Sequence, residues 1–146
     1  MIILSLDLGK DCGIAVRTNQ GIEFTEEYKF KNFSQLQTYV KHLIMLWKPD
    51  LVLCPYPTRF YNTILKHGKM LGVICAVCEL RDIPLIEVQD KSCKKLVIGK
   101  GNAKKKDIAE YYKEYYQDID SEHIFDAIMF IDWYLKAVET AAKRLT

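Results

Sequence analysis

The sequence predicts an α/β fold: a mixed five-stranded sheet, made of a three-stranded antiparallel meander plus two parallel strands, with helices on both faces. Three observations predict it. The opening "MIILSLDLG" is almost wholly apolar, as expected of a central strand covered on both sides. Two further strand-like runs follow it with only short connections, which reads as a meander. Past residue 33, strand-like and helix-like segments alternate, the pattern that lays parallel strands under packed helices. The chain has 146 residues, 49% apolar and 27% charged, and is expected to form one domain over 1–146 with a sizeable core.

The elements follow in order. Residues 1–8 form the first strand, "GKDCG" a tight turn, and "IAVR" the start of the second strand. "IEFTEEYKF" suits a partly exposed third strand, with Ile22, Phe24, Tyr28 and Phe30 as its apolar positions. Ser34 can cap a helix running to Trp47, with Leu36, Tyr39, Val40, Leu43 and Trp47 on one stripe. Pro49 ends it, and "LVLC" is a short buried strand. A second helix, over 61–81, is expected to bury Ile64, Leu65, Leu71, Ile74 and Cys78, and Gly68 and Gly72 imply close backbone packing. "IPLIEV" is the fifth strand. A lysine-rich loop leads into a helix over 103–116. Asp120 or Ser121 then caps a last helix whose stripe is Ile124, Ile128, Ile131, Leu135 and Val138.

Net charge is +2, unevenly distributed. Residues 91–106, "KSCKKLVIGKGNAKKK", hold seven lysines and no acid, which leaves the remainder at −5. One cationic segment on a mildly acidic body predicts a polyanionic partner, a solvated loop being the plainer alternative. No apolar run is long enough to span a membrane, and the N-terminus lacks the basic flank and cleavage site of a signal peptide. Five cysteines without framework spacing suit a reducing compartment. Cys75 and Cys78 form a CxxC inside an apolar helical run, where buried small hydrophobes are expected rather than zinc ligands.

Three residues point to chemistry. Asp7 is a carboxylate in a buried strand, a costly placement unless it is paired or metal-bound. Taken alone, it is explained as well by hydrogen bonding within "LGKD". His123 and Asp126, at i and i+3 in "SEHIFDAIMF", share the first turns of a helix. There the helix dipole alone would favour an aspartate. Together the three are hard or borderline ligands suited to Mg²⁺ or Mn²⁺, and a strand Asp meeting a helix Asp can clamp an ion for phosphoryl transfer.

With these residues in view, the chain resembles the RuvC-like Holliday junction resolvases of the RNase H-like superfamily. Four stretches carry the resemblance in order: "LDLGKDCG", "KPDLVL", "VQDKSCKKLVIGKGNAKKKDI" with its G-x-G-x-A-x-K core, and "HIFDAIMF". The resemblance implies a homodimer that binds a four-way DNA junction and cuts two strands symmetrically with Mg²⁺ or Mn²⁺. It implies a cytoplasmic setting in a bacterium or a phage- or virus-infected host cell. The catalytic and metal-binding positions fall on Asp7, His123 and Asp126, and basic positions around the cleft on Lys94 and Lys105. Lys95, Lys100, Lys104 and Lys106 extend the DNA-binding surface, where lysines give sequence-independent, salt-sensitive affinity. Phe60, with Tyr56, is a candidate for the aromatic that probes the junction centre. The run "YYKEYY" fits core or dimer surface better than base stacking.

One departure stands out. The family's strand-end Glu falls on Pro55, which cannot ligate a metal, and neighbouring Cys54 suits a hard cation poorly. Glu87 and Asp11 are the acids available to fill in. An endonuclease is therefore expected, with two alternatives: a branched-DNA-binding protein of weak or no turnover, and an RNase H-like ribonuclease or RNA-processing factor.

Overall fold

The computed structural model describes residues 1–57 and 61–146, except the side chains of Tyr61 and Asn62. Phe60 lies outside the described residues. Five strands, β1 (Ile3–Asp7), β2 (Asp11–Thr18), β3 (Gly21–Lys29), β4 (Leu51–Pro55) and β5 (Leu85–Val88), form one sheet in the order β3-β2-β1-β4-β5. The first three pair antiparallel, while β1 with β4 and β4 with β5 pair parallel. This is the mixed sheet expected from the sequence, and its architecture is RNase H-like.

Side-chain alternation splits the sheet into two cores. Leu4, Leu6, Ile14, Val16, Val52 and Cys54 face α1 (Phe33–Trp47) and α2 (Tyr61–Glu79). Ile3, Ala15, Leu51, Leu53 and Val88 face α3 (Asp90–Val97), α4 (Lys105–Lys113) and α5 (Glu122–Leu145). Asn32, not Ser34, caps α1: its Oδ1 accepts from the Gln35 amide at 2.8 Å. Ser121 caps α5, accepting from the Ile124 amide at 3.3 Å. Among the described residues, no helix is long and apolar enough to cross a membrane.

Several expectations need correction. The supposed turn "GKDCG" belongs mostly to β2, because Gly13 pairs with Asp7 across the hairpin. On α2, Ile64 and Leu65 are exposed at 37% and 52%, since among the described side chains of that helix full burial begins at Met70. Gly68 and Gly72 have open space where a side chain would stand, so no close backbone packing occurs there. Half of the expected lysine loop is helical: α3 buries Cys93 and Val97, four residues apart, and opens on Asp90, which suits the positive end of the helix dipole. The expected helix over 103–116 is the shorter α4. Val138 is 49% exposed, because α5 outruns the sheet it packs on. Cys78 is buried and Cys75 half-buried, and all five cysteines are free thiols.

Candidate functional site

The site forms where the carboxyl end of β1 meets the amino end of α5. Asp7 is the last residue of β1, directly opposite Gly13 on β2, which is opposite Glu27 on β3. Cross-strand partners share a face, so Asp7 and Glu27 flank a gap left by the glycine. The first turn of α5 fills that gap. A Cβ on Gly13 would stand 2.0 Å from the His123 carbonyl oxygen, so the bare backbone admits the helix end.

This seating carries His123 onto Asp7, with Nδ1 3.2 Å from Oδ2. One turn along α5, Asp126 is 15% exposed, and Lys105 of α4 approaches its Oδ2 at 3.9 Å. The same Nζ lies 3.2 Å from Glu122 Oε1. Lys94 pairs with Asp90 at 2.6 Å, and its charge also reaches Asp126. The structure thus gathers Asp7, His123, Asp126 and Lys105, while Lys94 is held by Asp90. The remaining lysines lie elsewhere: Lys100 pairs with Asp107 and Lys106 with Glu110, while Lys95 and Lys104 are exposed.

Asp11, Glu27 and His123 offer ligand atoms that all lie within 4.8 Å of one another. Two carboxylates and an imidazole form a candidate divalent-metal site. Of the two acids offered by the sequence, Asp11 therefore belongs to this neighbourhood. Glu87 does not: it pairs with Cys54, on the α2 face, and lines a groove with Cys75, Cys78 and Glu79. Glu27 has no signal in the sequence, because only the β2–β3 register puts it in the Asp7 row.

The electrostatics fit a cation. Burial raises the Asp7 pKa, and the hydrogen bond and charge of His123 only partly offset it. Burial, then the Asp7 charge, push Asp126 up to about 7. His123 is raised by its hydrogen bond to Asp7. Two desolvated carboxylates that hinder each other's ionisation are what a divalent ion would relieve.

A pH dependence follows with a defined sign. Asp126 binds its proton more tightly folded than unfolded, so its contribution to stability is full below about 4 and is lost as pH rises through about 7. Asp7 and His123 are displaced in the same direction, whereas His67 is displaced oppositely by burial. Metal-free protein should therefore gain stability as pH falls from 8 to 5. The gain should be a few kcal/mol, since each tenfold change in proton affinity is worth roughly 1.4 kcal/mol. Saturating Mn²⁺ should reverse the trend, because the ion competes with the proton. Thermal melts with EDTA and with Mn²⁺ across that range check both.

No protein-family model matches the chain. Among curated proteins it is similar to the crossover junction endodeoxyribonuclease RuvC of Chlamydia trachomatis serovar L2. Identity is 28% over 95 residues, covering 64% of this chain and 53% of the other. The chain matches about half the length of such relatives. The Thermus thermophilus RuvC structure in complex with Holliday junction substrate superposes with a TM-score of 0.82 at 16% identity, covering 97% of this chain and 96% of that one. The fowlpox virus Holliday junction resolvase gives 0.62 at 14% identity over 94% and 99%. The sheet and its two helical layers define an RNase H-like α/β protein. Within that class, the fold is that of the RuvC-type Holliday junction resolvases.

Proposed function

We propose that residues 1–146 form a single RuvC-type nuclease domain, a structure-selective endonuclease that resolves four-way DNA junctions by symmetric phosphodiester hydrolysis. It acts as a homodimer with Mg²⁺ or Mn²⁺, in the cytoplasm of a bacterium or of a phage- or virus-infected cell. The observation that carries the reading is the 3.2 Å contact between Asp7 and His123, made across 116 residues of sequence, beside a second desolvated carboxylate at Asp126. Groups so costly to bury together are retained where a cation and a phosphate use them.

Asp7, Asp126 and His123 would hold the ion, with Asp11 and Glu27 beside them. The bound ion would supply a polarised phosphate and an activated water. Lys105 and Lys94 hold the phosphate backbone against the acidic cleft and offset charge that grows during displacement. With Nδ1 against Asp7, His123 has Nε2 left either to ligate the ion or to take a proton, but not both at once. Lys95, Lys100, Lys104 and Lys106 extend the positive track that DNA follows beyond the cleft.

Pro55 supports a second reading, a junction-binding protein of low turnover. It ends β4 one strand from Asp7, at the position to which the resemblance assigns the family's second acid, and a proline offers no ligand. Incubation with Mn²⁺ and a synthetic four-way junction, a linear duplex or an RNA–DNA hybrid separates the readings. Paired symmetric nicks confined to the junction are expected. A shifted but uncut junction would favour the binding protein, and cutting of the hybrid alone would favour a ribonuclease.

A further inference from the structure

The β2–β3 hairpin carries a cluster that the family motifs do not reach. Asp11 opens β2 opposite Lys29, and Glu27 stands opposite Gly13. Residues two apart on a strand share a face, so Asp11 and Glu27 line the same face as Asp7, which is also opposite Gly13. Gly13 leaves the room that the first turn of α5 occupies, and that turn delivers His123. Among the described residues, Asp11, Glu27 and His123 are the one group whose ligand atoms all come within 4.8 Å of one another. Donors stand about 2.1 Å from Mg²⁺ and farther from larger ions, so opposite donors on one ion lie roughly 4.2 Å apart or more. The cluster is close to coordination size before any ion enters.

Two further observations point to a cation. Asp11 Oδ1 is fully buried and accepts no hydrogen bond among the described residues. The ammonium of Lys29, on a side chain 75% exposed, stands off from it at 3.5 Å. A buried carboxylate oxygen without a donor is uncommon, and an ion is one of the groups that satisfies it. His123 is also set for ligation. Its Nδ1 lies 3.2 Å from Asp7 Oδ2, which holds the ring proton there and leaves the lone pair on Nε2. A carboxylate behind one imidazole nitrogen orients the other toward a metal. Glu122 Oε1 is 3.9 Å from Nε2, too far for a hydrogen bond, and already accepts from Lys105.

We propose that Asp11, Glu27 and Nε2 of His123 hold a second divalent ion on the hairpin side of Asp7, with Asp7 as the positioning residue for His123. Pro55 leaves the β4 side without a ligand. This site takes its carboxylates from β2 and β3 and needs nothing from β4. The inference rests on the metal-dependent reading above and adds an ion to it, leaving the first ion to the carboxylates of Asp7 and Asp126. With Nε2 on the second ion, His123 is not the proton acceptor. One imidazole among two carboxylates is a borderline donor, which favours Mn²⁺ over Mg²⁺.

Calorimetric titration of DNA-free protein with Mn²⁺ tests the inference without recourse to cleavage. Glu27 is exposed on a strand, so Glu27→Gln keeps the fold. It should weaken one Mn²⁺ site by about tenfold or more, a site that Asp126→Asn leaves in place. If Glu27→Gln titrates like wild type while Asp126→Asn loses an ion, the hairpin site falls and the metal-dependent reading stands. If both variants abolish the same single ion, there is one site and the second ion falls. If neither changes Mn²⁺ binding, the metal-dependent reading falls as well. Lys29→Gln gives a readout that lost structure would not produce. Without the ammonium competing for Asp11, the hairpin site should bind Mn²⁺ severalfold more tightly. Affinity no higher than wild type overturns the assignment of Asp11.

Discussion

Asp7→Asn should reduce Mn²⁺-dependent junction cleavage by about 10³-fold or more, while leaving junction affinity nearly unchanged and the metal-free protein no less stable. The loss is large because asparagine keeps the shape and removes the charge that the ion requires. Binding should be spared because, in the proposed reading, affinity for the phosphate backbone comes from Lys94, Lys105 and the lysines beyond the cleft. The stability arm follows from the buried carboxylate. Burial raises Asp7 more than His123 lowers it, so at neutral pH the ionised group is a net cost to the metal-free fold. Its removal also takes away the charge that, after burial, does most to push Asp126 up to about 7. The variant should therefore melt at or above the wild-type temperature at pH 8, and its melting should depend less on pH. Cleavage assays, junction titrations and melts on one preparation read all three. Retained cleavage would remove Asp7 from the site, and a large loss of stability would make the carboxylate a structural group.

The same balance explains which features could be read from sequence. Strands are visible where both faces are covered: β1 and β4 appear as apolar runs because α1 and α2 lie on one side and α5 on the other. The i, i+3 spacing of His123 and Asp126 survives translation into structure because it depends only on helical geometry. Register does not survive it. Glu26 and Glu27 are indistinguishable in "FTEEYK", yet one residue of slip exchanges their faces. Paired with Gly13, Glu27 enters the Asp7 row, whereas Glu26 turns to the other face and accepts a hydrogen bond from the Tyr39 hydroxyl. The α3 helix was hidden for a different reason. Its lysines read as a solvated run, and the two residues that fix it, Cys93 and Val97, are too few to announce a period. His67 stands one turn before a buried apolar stripe, where a polar residue reads as noise until its ring nitrogen is found buried and unpartnered.

Gly13→Ala should show the second large effect, in stability. In an ordinary strand, alanine for glycine helps by up to about 1 kcal/mol, because glycine loses more chain entropy on folding. Here the added methyl would lie 2.0 Å from the His123 carbonyl oxygen, 2.2 Å from its carbon and 2.7 Å from the Ile124 amide nitrogen. All three are backbone atoms, so no side-chain rotation relieves the overlap, and the end of α5 or the β2 strand must move. Overpacking against such a rigid neighbour costs about 3 kcal/mol or more, or roughly 10 °C of melting temperature in a chain of this size. The displacement would also draw His123 away from Asp7, so cleavage should fall further than the folded fraction accounts for. Gly9→Ala is the matched control. Its Cβ would meet only the Asp11 carbonyl oxygen, at 3.4 Å, so it should melt close to wild type and still cut. Should Gly13→Ala melt like Gly9→Ala, then α5 does not seat on β2 as described, and the histidine it carries has no fixed place beside Asp7.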